Sequence, residues 1–305
     1  MQAAQSTAAV AAPPRCAWCD AELDAGPGER PAPVRCTHCG VATTIPWPSD
    51  AELERAYSDW YRPESGRFSG PGDALMRRSR GRLAGRLDRI APPGRVLDVG
   101  AGEGVLIDAL AARRRDALGL ERRSPRPDIR AGEIEEVEES FAAVVFWHSL
   151  EHLPRARLAL RRAARLLAPG GVVVVAIPNS DSLQARAFGA RWLALDLPRH
   201  LVHVSAAALR RALEDDGLAV ERVSHLRGGQ VLFGWLHGLV GALPGHVDLY
   251  DAIRRPAARR RPLSPARRAG AIAAAVALLP VAAAGASLEA ALRRGGSVYV
   301  EARRA

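Results

Sequence analysis

At 305 residues the chain has room for about two domains and one sizeable core, and with 25% charged and 48% apolar residues it is neither disordered nor collagen-like. The formal net charge is +10, which ordinarily points to nucleic acid or an anionic membrane surface as partner. All 43 basic residues are arginine, in a chain rich in Ala, Gly and Pro, so compositional bias explains much of the charge without a polyanionic partner.

Met1 to Pro14 carry neither a basic start nor an apolar run of secretory length, which predicts a disordered tail over 1–15 and a cytoplasmic protein. Cys16, Cys19, Cys36 and Cys39 then form two Cys-x-x-Cys knuckles sixteen residues apart. That is the spacing of a zinc ribbon, here over 16–45, with four thiolates and no open coordination position. The predicted zinc is therefore structural, its binding folds the module, and His38 is not a ligand. No aromatic-rich basic stripe accompanies the ribbon, which favours docking or substrate gating over nucleic acid. Residues 46–90 read as a helical cap or linker, and Ser49-Asp-Ala-Glu52 matches a capping box that predicts a short helix.

Past Pro92-Pro93-Gly94, short apolar runs at 95–99, 117–120, 142–147, 171–177, 219–223 and 297–301 alternate with helical patterns. This predicts an α/β fold with a parallel sheet, its core at 91–227 and its last strand in 296–305. Val96-Leu-Asp-Val-Gly-Ala-Gly-Glu-Gly-Val-Leu-Ile107 reads as a buried strand, a glycine turn and a helix start, where a ligand can approach the backbone closely. It is not a dinucleotide fingerprint, because position 105 is Val and the third glycine stands at 104. Asp98, just before the turn, suits a cationic ammonium better than a pyrophosphate, so an amino-acid-bearing nucleoside fits. Glu121 ends the next strand, where it can accept hydrogen bonds from both ribose hydroxyls, and Glu133 follows Ile129-Arg-Ala-Gly132, placed to meet an adenine edge.

With Phe146-Trp-His-Ser-Leu-Glu-His-Leu-Pro154 after the fourth core strand, these strings resemble the class I S-adenosylmethionine-dependent methyltransferases over about 75–227 and the final strand. The resemblance implies a Rossmann-like seven-stranded sheet with a reversed last strand, and S-adenosylmethionine at the carboxyl ends of the first strands. It implies Asp98, Gly100, Ala101 and Gly102 near the methionine portion, Glu121 on the ribose, Glu133 near the adenine, and His148 at the boundary with the acceptor. Positions 148, 151 and 152 resemble the Glu-x-x-Glu-His metal site of the ubiquinone-biosynthesis O-methyltransferases, with His at the first position. A divalent metal on a catechol-like acceptor is what that match implies.

Methyl transfer is an in-line displacement in which positioning does most of the work, so a base is optional; His148, Glu151 and His152 are the candidates. Glu151 and His152 also read as caps for the helix that begins near Pro154. Downstream, Ile177-Pro-Asn-Ser180, Phe188-Gly-Ala-Arg-Trp192 and Asp196-Leu-Pro-Arg-His-Leu-Val-His203 resemble a family stretch at the substrate pocket. His200 and His203 there either contact substrate, serve as a second base, or hold a loop against the core.

The insertion at 228–295 contains two stretches without charged residues, 228–247 and 269–288, each long enough in principle for a membrane span. Glycines and histidines interrupt the first and Pro280 the second, and the chain must return to the same sheet. A re-entrant hairpin or surface-lying helices, flanked by arginine clusters suited to anionic headgroups, fit better. That arrangement would make the protein peripheral to the inner face of the membrane; a helical subdomain over the active site, or a dimer contact, is the other reading. The expected function is O-methylation of a small or lipid-like hydroxylated molecule. An RNA methyltransferase, or a non-catalytic interaction protein on the same fold, is the alternative.

Overall fold

The computed structural model describes residues 14–25, 30–58, 68, 72–122, 126–226, 229–245 and 247–304. Residues 1–13, most of the predicted tail, lie outside the described residues.

The chain opens with the four-cysteine module, in which β1 (Ala32–Arg35) pairs antiparallel with β2 (Ala42–Ile45). The helix α1 (Asp50–Ala56) starts at Ser49, whose hydroxyl accepts from the Glu52 amide while Glu52 reaches back to the Ser49 amide at 2.8 Å. That is the reciprocal capping box. The helix α2 (Gly72–Ile90) follows. It buries Leu83, Ala84 and Leu87 against the central sheet.

Seven strands make that sheet: β3 (Val96–Val99), β4 (Ala117–Glu121), β5 (Ile129–Ala131), β6 (Phe141–Trp147), β7 (Leu167–Pro178), β9 (Leu218–Ser224) and β10 (Ser297–Arg304). Their spatial order is β5-β4-β3-β6-β7-β10-β9, with β10 antiparallel to both neighbours and the pairs from β5 to β7 parallel. The seven-stranded sheet with a reversed last strand is thus present. Strands covered on both faces are apolar almost throughout, as in β6 and in β7 from Val172 to Ile177. Alternate side chains serve opposite layers. Val96, Ala143, Val145, Val172 and Val174 meet α2 and α3 (Val105–Ala111), whereas Leu97, Val144, Phe146, Val173 and Val175 meet α4 (Ala156–Leu166) and α6 (Ala206–Asp215).

The two-residue strand β8 (Val202–His203), between α5 (Leu183–Phe188) and α6, leaves the central sheet and pairs antiparallel with β2. The ribbon and the main domain therefore share a three-stranded sheet, and Cys16, Trp18, Leu23 and Val41 belong to the same apolar cluster as the central strands.

Before β10 the chain forms α7 (Gly229–Gly241), α8 (Leu249–Ile253), α9 (Pro265–Ala277) and α10 (Leu279–Ala291). Among the described residues no single helix is long and apolar enough to cross a membrane; α9 and α10 together reach the length but are bent by 56°. Glu289 of α10 ties the group to the sheet. Fully buried, it accepts from the Gln184 amide at 2.9 Å, Gln184 Nε2 at 2.8 Å, Trp235 Nε1 at 3.2 Å and the Gly296 amide at 3.2 Å. Glu289→Ala leaves those donors dry and unsatisfied and should cost about 3 kcal/mol, read as a lowered urea midpoint with earlier proteolysis in 229–291. Glu289→Gln, which keeps an acceptor, should lose less.

Candidate active site and zinc ribbon

At the carboxyl ends of β3, β4 and β6 lies a cavity of about 490 Å³, within the range of small-molecule sites. Gly100, Glu121, Glu133, His148 and His152 line it, and Tyr57 beside α1 closes one side. The glycine turn makes this approach close. Gly100 has φ +78°, and a Cβ there would fall 2.4 Å from Ser149 Cβ, so only glycine lets β6 and the turn meet. The Ser149 hydroxyl donates to the Val99 carbonyl and locks that contact. Of the three turn residues singled out, Gly100 reaches the cavity wall. Ala101 and Gly102 complete the turn behind it, the Ala101 amide donating to the Leu120 carbonyl at 3.0 Å.

Glu121 Oε2 takes the Gly102 amide at 2.9 Å and Oε1 the Arg122 amide at 3.1 Å, so this carboxylate buttresses the turn as well as facing the cavity. Glu133 sits at the rim, paired with Arg155 Nη2 at 2.7 Å. Asp98 lies one residue beneath the wall and is 4% exposed. Burial pushes its carboxyl up to about 7; the Arg80 charge draws it back and Glu121 adds to the rise.

The residues expected at the reacting end divide into two sets. His148 and His152 line the main cavity, whereas Glu151, His200 and His203 lie behind them, around a second space of about 10 Å³ that Trp192 and Ser180 also line. His148, directly after β6, holds a left-handed φ of +53° while its amide donates to the Ala176 carbonyl at 2.7 Å. That backbone is costly for a histidine and aims its ring. Glu151 is buried, and neither carboxylate oxygen accepts a hydrogen bond of ordinary geometry; His148 Nδ1 stands 3.5 Å and His200 Nε2 3.9 Å from Oε1. Its own burial pushes the carboxyl up, but His148 and the neighbouring imidazoles outweigh that and hold it below the usual range.

Two of the imidazoles facing Glu151 are fixed as one tautomer. His152 Nδ1 lies 3.0 Å from the Arg199 carbonyl and His200 Nδ1 2.9 Å from the Ala194 carbonyl, so each Nδ1 carries the proton and each Nε2 keeps its lone pair. Burial first, and the neighbouring His200 second, hold His152 down at about 4. Glu151, His152 and His200 offer ligand atoms all within 4.8 Å of one another. The sequence motif named 148, 151 and 152; the structure groups the last two with His200 instead, because the segment after Pro198 returns across Glu151, with the Leu201 amide on the Glu151 carbonyl at 2.8 Å.

His203 belongs to the ribbon seam. Thr44 of β2 donates its hydroxyl to the His200 carbonyl at 2.6 Å, so it must accept from His203 Nε2 at 3.0 Å. Sequence reasoning missed Thr44 and Tyr57, whose hydroxyl lies 2.9 Å from His152 Nδ1; the polar Thr43-Thr44 pair in an otherwise apolar β2 was the available signal. In the ribbon itself Sγ of Cys16 lies 3.7 Å from that of Cys39, and Sγ of Cys19 3.6 Å from that of Cys36. Four thiolates at about 2.3 Å around tetrahedral zinc would stand about 3.8 Å apart, so the four sulfurs fit that ion.

A family model described as a methyltransferase domain matches residues 73–223. A probable S-adenosylmethionine-dependent methyltransferase of Mycolicibacterium smegmatis is 33% identical over 139 residues, 41% of this chain and 52% of the relative. A ubiquinone biosynthesis O-methyltransferase of Paracidovorax citrulli is 33% identical over 141 residues, 38% of this chain and 58% of the relative. The chain thus spans little more than half the length of these relatives. Among solved structures, the magnesium protoporphyrin IX methyltransferase of Synechocystis PCC 6803 overlays with a TM-score of 0.39 at 16% identity, covering 49% of this chain and 76% of that one. The glycine turn, the acidic strand ends and the reversed last strand agree with the matched family: residues 73–223 are a domain of the S-adenosylmethionine-dependent methyltransferases.

Proposed function

We propose that the protein transfers a methyl group from S-adenosylmethionine to an oxygen of a small or lipid-like hydroxylated molecule. The observation that carries this reading is the cavity walled by Gly100, Glu121 and Glu133 on one side and by His148 and His152 on the other. The first set fits the cofactor: a turn without side-chain bulk, a carboxylate for the ribose, and Asp98 beneath for the ammonium. Bound S-adenosylmethionine supplies an electrophilic methyl on a sulfonium. The chain's own part is to hold the acceptor oxygen in line and take its proton. His152 is suited to that, since its Nδ1–H is committed to the Arg199 carbonyl and its neutral Nε2 can accept. The O-methyltransferase named among the relatives supports oxygen as the acceptor atom.

A second reading has its own observation, the buried Glu151 carboxylate with neither oxygen hydrogen-bonded. With His152 and His200 it forms a donor set of one carboxylate and two neutral imidazoles, which suits a divalent transition metal better than magnesium. Such an ion would lower the pKa of a catechol-like acceptor. The zinc that we assign to Cys16, Cys19, Cys36 and Cys39 is separate and has no open position.

Calorimetric titration with S-adenosylhomocysteine tests the reading. An ammonium is held by the ionised Asp98 carboxylate, and burial keeps that group protonated below about 7. Affinity should therefore rise about tenfold per pH unit up to about pH 7 and then level. Asp98→Asn should weaken binding about tenfold or more and flatten that slope. Absence of binding by the folded, zinc-loaded chain would sink the enzyme reading.

For the ribbon, atomic absorption should find one zinc per chain. Cys36→Ser, or a strong chelator, should lower the melting temperature and slow methyl transfer together, because β8 loses β2 as its partner. Unchanged activity after zinc removal would show that the ribbon leaves the site alone.

A further inference from the structure

The insertion carries a surface that transfer chemistry does not use. Of the thirteen large apolar residues exposed among the described residues, six fall within 272–292: Ile272, Val276, Leu279, Val281, Leu288 and Leu292. Val276 is 67% and Val281 54% exposed, on either side of the bend between α9 and α10. A monomer in water gains nothing by gathering apolar side chains there.

The charge around this surface is of one sign. From Ala252 to Leu288 the sequence holds seven arginines and no acidic residue. Some of these arginines serve the fold: Arg254 is fully buried, Arg255 lies 3.8 Å from Asp73, and Arg260 pairs with Asp196 at 3.2 Å. Arg261 and Arg267 before and at the start of α9, and Arg293 after α10, are exposed and have no ion pair among the described residues. Free cations thus stand at both ends of the apolar elbow. A second copy of the chain would bring the same positive charge against it, so self-association is disfavoured, whereas a layer of anionic headgroups over hydrocarbon complements both features.

Length decides how the elbow sits. Each helix has 13 residues, about 20 Å of rise, short of the roughly 30 Å hydrocarbon core. Both are also tied to the fold, α9 through Arg268 to the Ala252 carbonyl at 2.8 Å and through buried Ala271, and α10 through Glu289. The elbow cannot leave the fold to cross a bilayer, but it can lie in the interface.

We propose that α9 and α10 form a peripheral docking surface for an anionic lipid bilayer, with Val276, Leu279 and Val281 entering the acyl boundary and Arg261, Arg267 and Arg293 meeting phosphate headgroups. This proposal is independent of the methyl-transfer reading, since vesicle binding is read without cofactor.

Co-sedimentation of the full chain with vesicles of phosphatidylcholine alone, and with about one third phosphatidylglycerol, tests it. The expected result is binding to the anionic vesicles only, weakening as salt is raised. The triple variant Arg261→Ala, Arg267→Ala, Arg293→Ala should weaken it on the order of a hundredfold, and Val276→Asp with Val281→Asp should abolish it. Neither set should move the melting temperature or S-adenosylhomocysteine binding, because these side chains are exposed and distant in sequence from the cavity walls. Three outcomes overturn the proposal: no binding to either vesicle, equal binding by the triple variant, or a dimer in light scattering that Val276→Asp dissolves, which would give the face to a second copy.

Discussion

Thr44 makes three hydrogen bonds to the segment that follows Pro198. Its hydroxyl donates to the His200 carbonyl and takes the His203 Nε2 proton, and its amide donates to the Leu201 carbonyl at 3.0 Å. From the other side, Leu201 donates to Glu151 and the Arg199 carbonyl holds His152. The five residues 199–203 are therefore strung between the ribbon and the end of β6, and His152, His200 and His203 take their tautomer or their position from that string. A buried polar network of this kind rewards full satisfaction and penalises any missing partner. Burial pulls His203 down to about 3, with the neighbouring His200 acting in the same direction, so the ring stays neutral and its single Nε2–H is committed to Thr44.

The arginine-only composition has structural consequences that charge counting hides. Arg86 grips Glu301 through Nε at 2.8 Å and Nη2 at 2.7 Å, and Arg157 grips Asp216 through Nη1 at 2.5 Å and Nη2 at 2.9 Å. Arg303 joins Glu221 on β9 to the carbonyls of Gly170 and Ile90. A planar fork with five donors can do this where a lysine ammonium could not. Each exposed pair is worth little by itself, but Arg303 and Arg304 both reach carbonyls near the start of β7, the latter that of Leu167, and so fasten the last strand. The count of 43 arginines therefore overstates how many of them stand free at the surface.

Most of the architecture was legible because local signals agreed with the global fold. Strand runs at 142–147 and 171–177 are apolar without alternation, as double-sided burial requires, and the structure extends the first by one residue and the second by five. The glycine turn and the capping box at Ser49 depend on backbone rules that operate within a few residues. The reacting end was harder to read, since it is assembled from distant pieces. Thr44 and His203 are 159 residues apart, and no periodicity announces a two-residue strand such as β8. The motif at 148–152 located Glu151 and His152, but the third member of the cluster, His200, is delivered by tertiary return of the chain. For α2, a polar composition suggested a cap; three apolar residues, Leu83, Ala84 and Leu87, were enough to make it a layer of the core.

The two appendages meet the same short segment from opposite directions. The ribbon holds residues 200–203 through Thr44 and β2. The insertion holds Asp196 through Arg260, while Asp196 also pairs with Arg199, whose Nη1 reaches the Ala56 carbonyl at the end of α1 at 3.0 Å. Gln184, at the start of α5, is bound to Glu289 of α10 and donates to the Val231 carbonyl of α7 at 2.9 Å. The side of the cavity that we propose for the cofactor is built from β3, β4 and β6 and needs neither appendage. The acceptor side that we propose needs both. Acceptor choice then depends on parts outside the strands that define the family, and relatives that share those strands can differ in substrate without any change in the cofactor cradle.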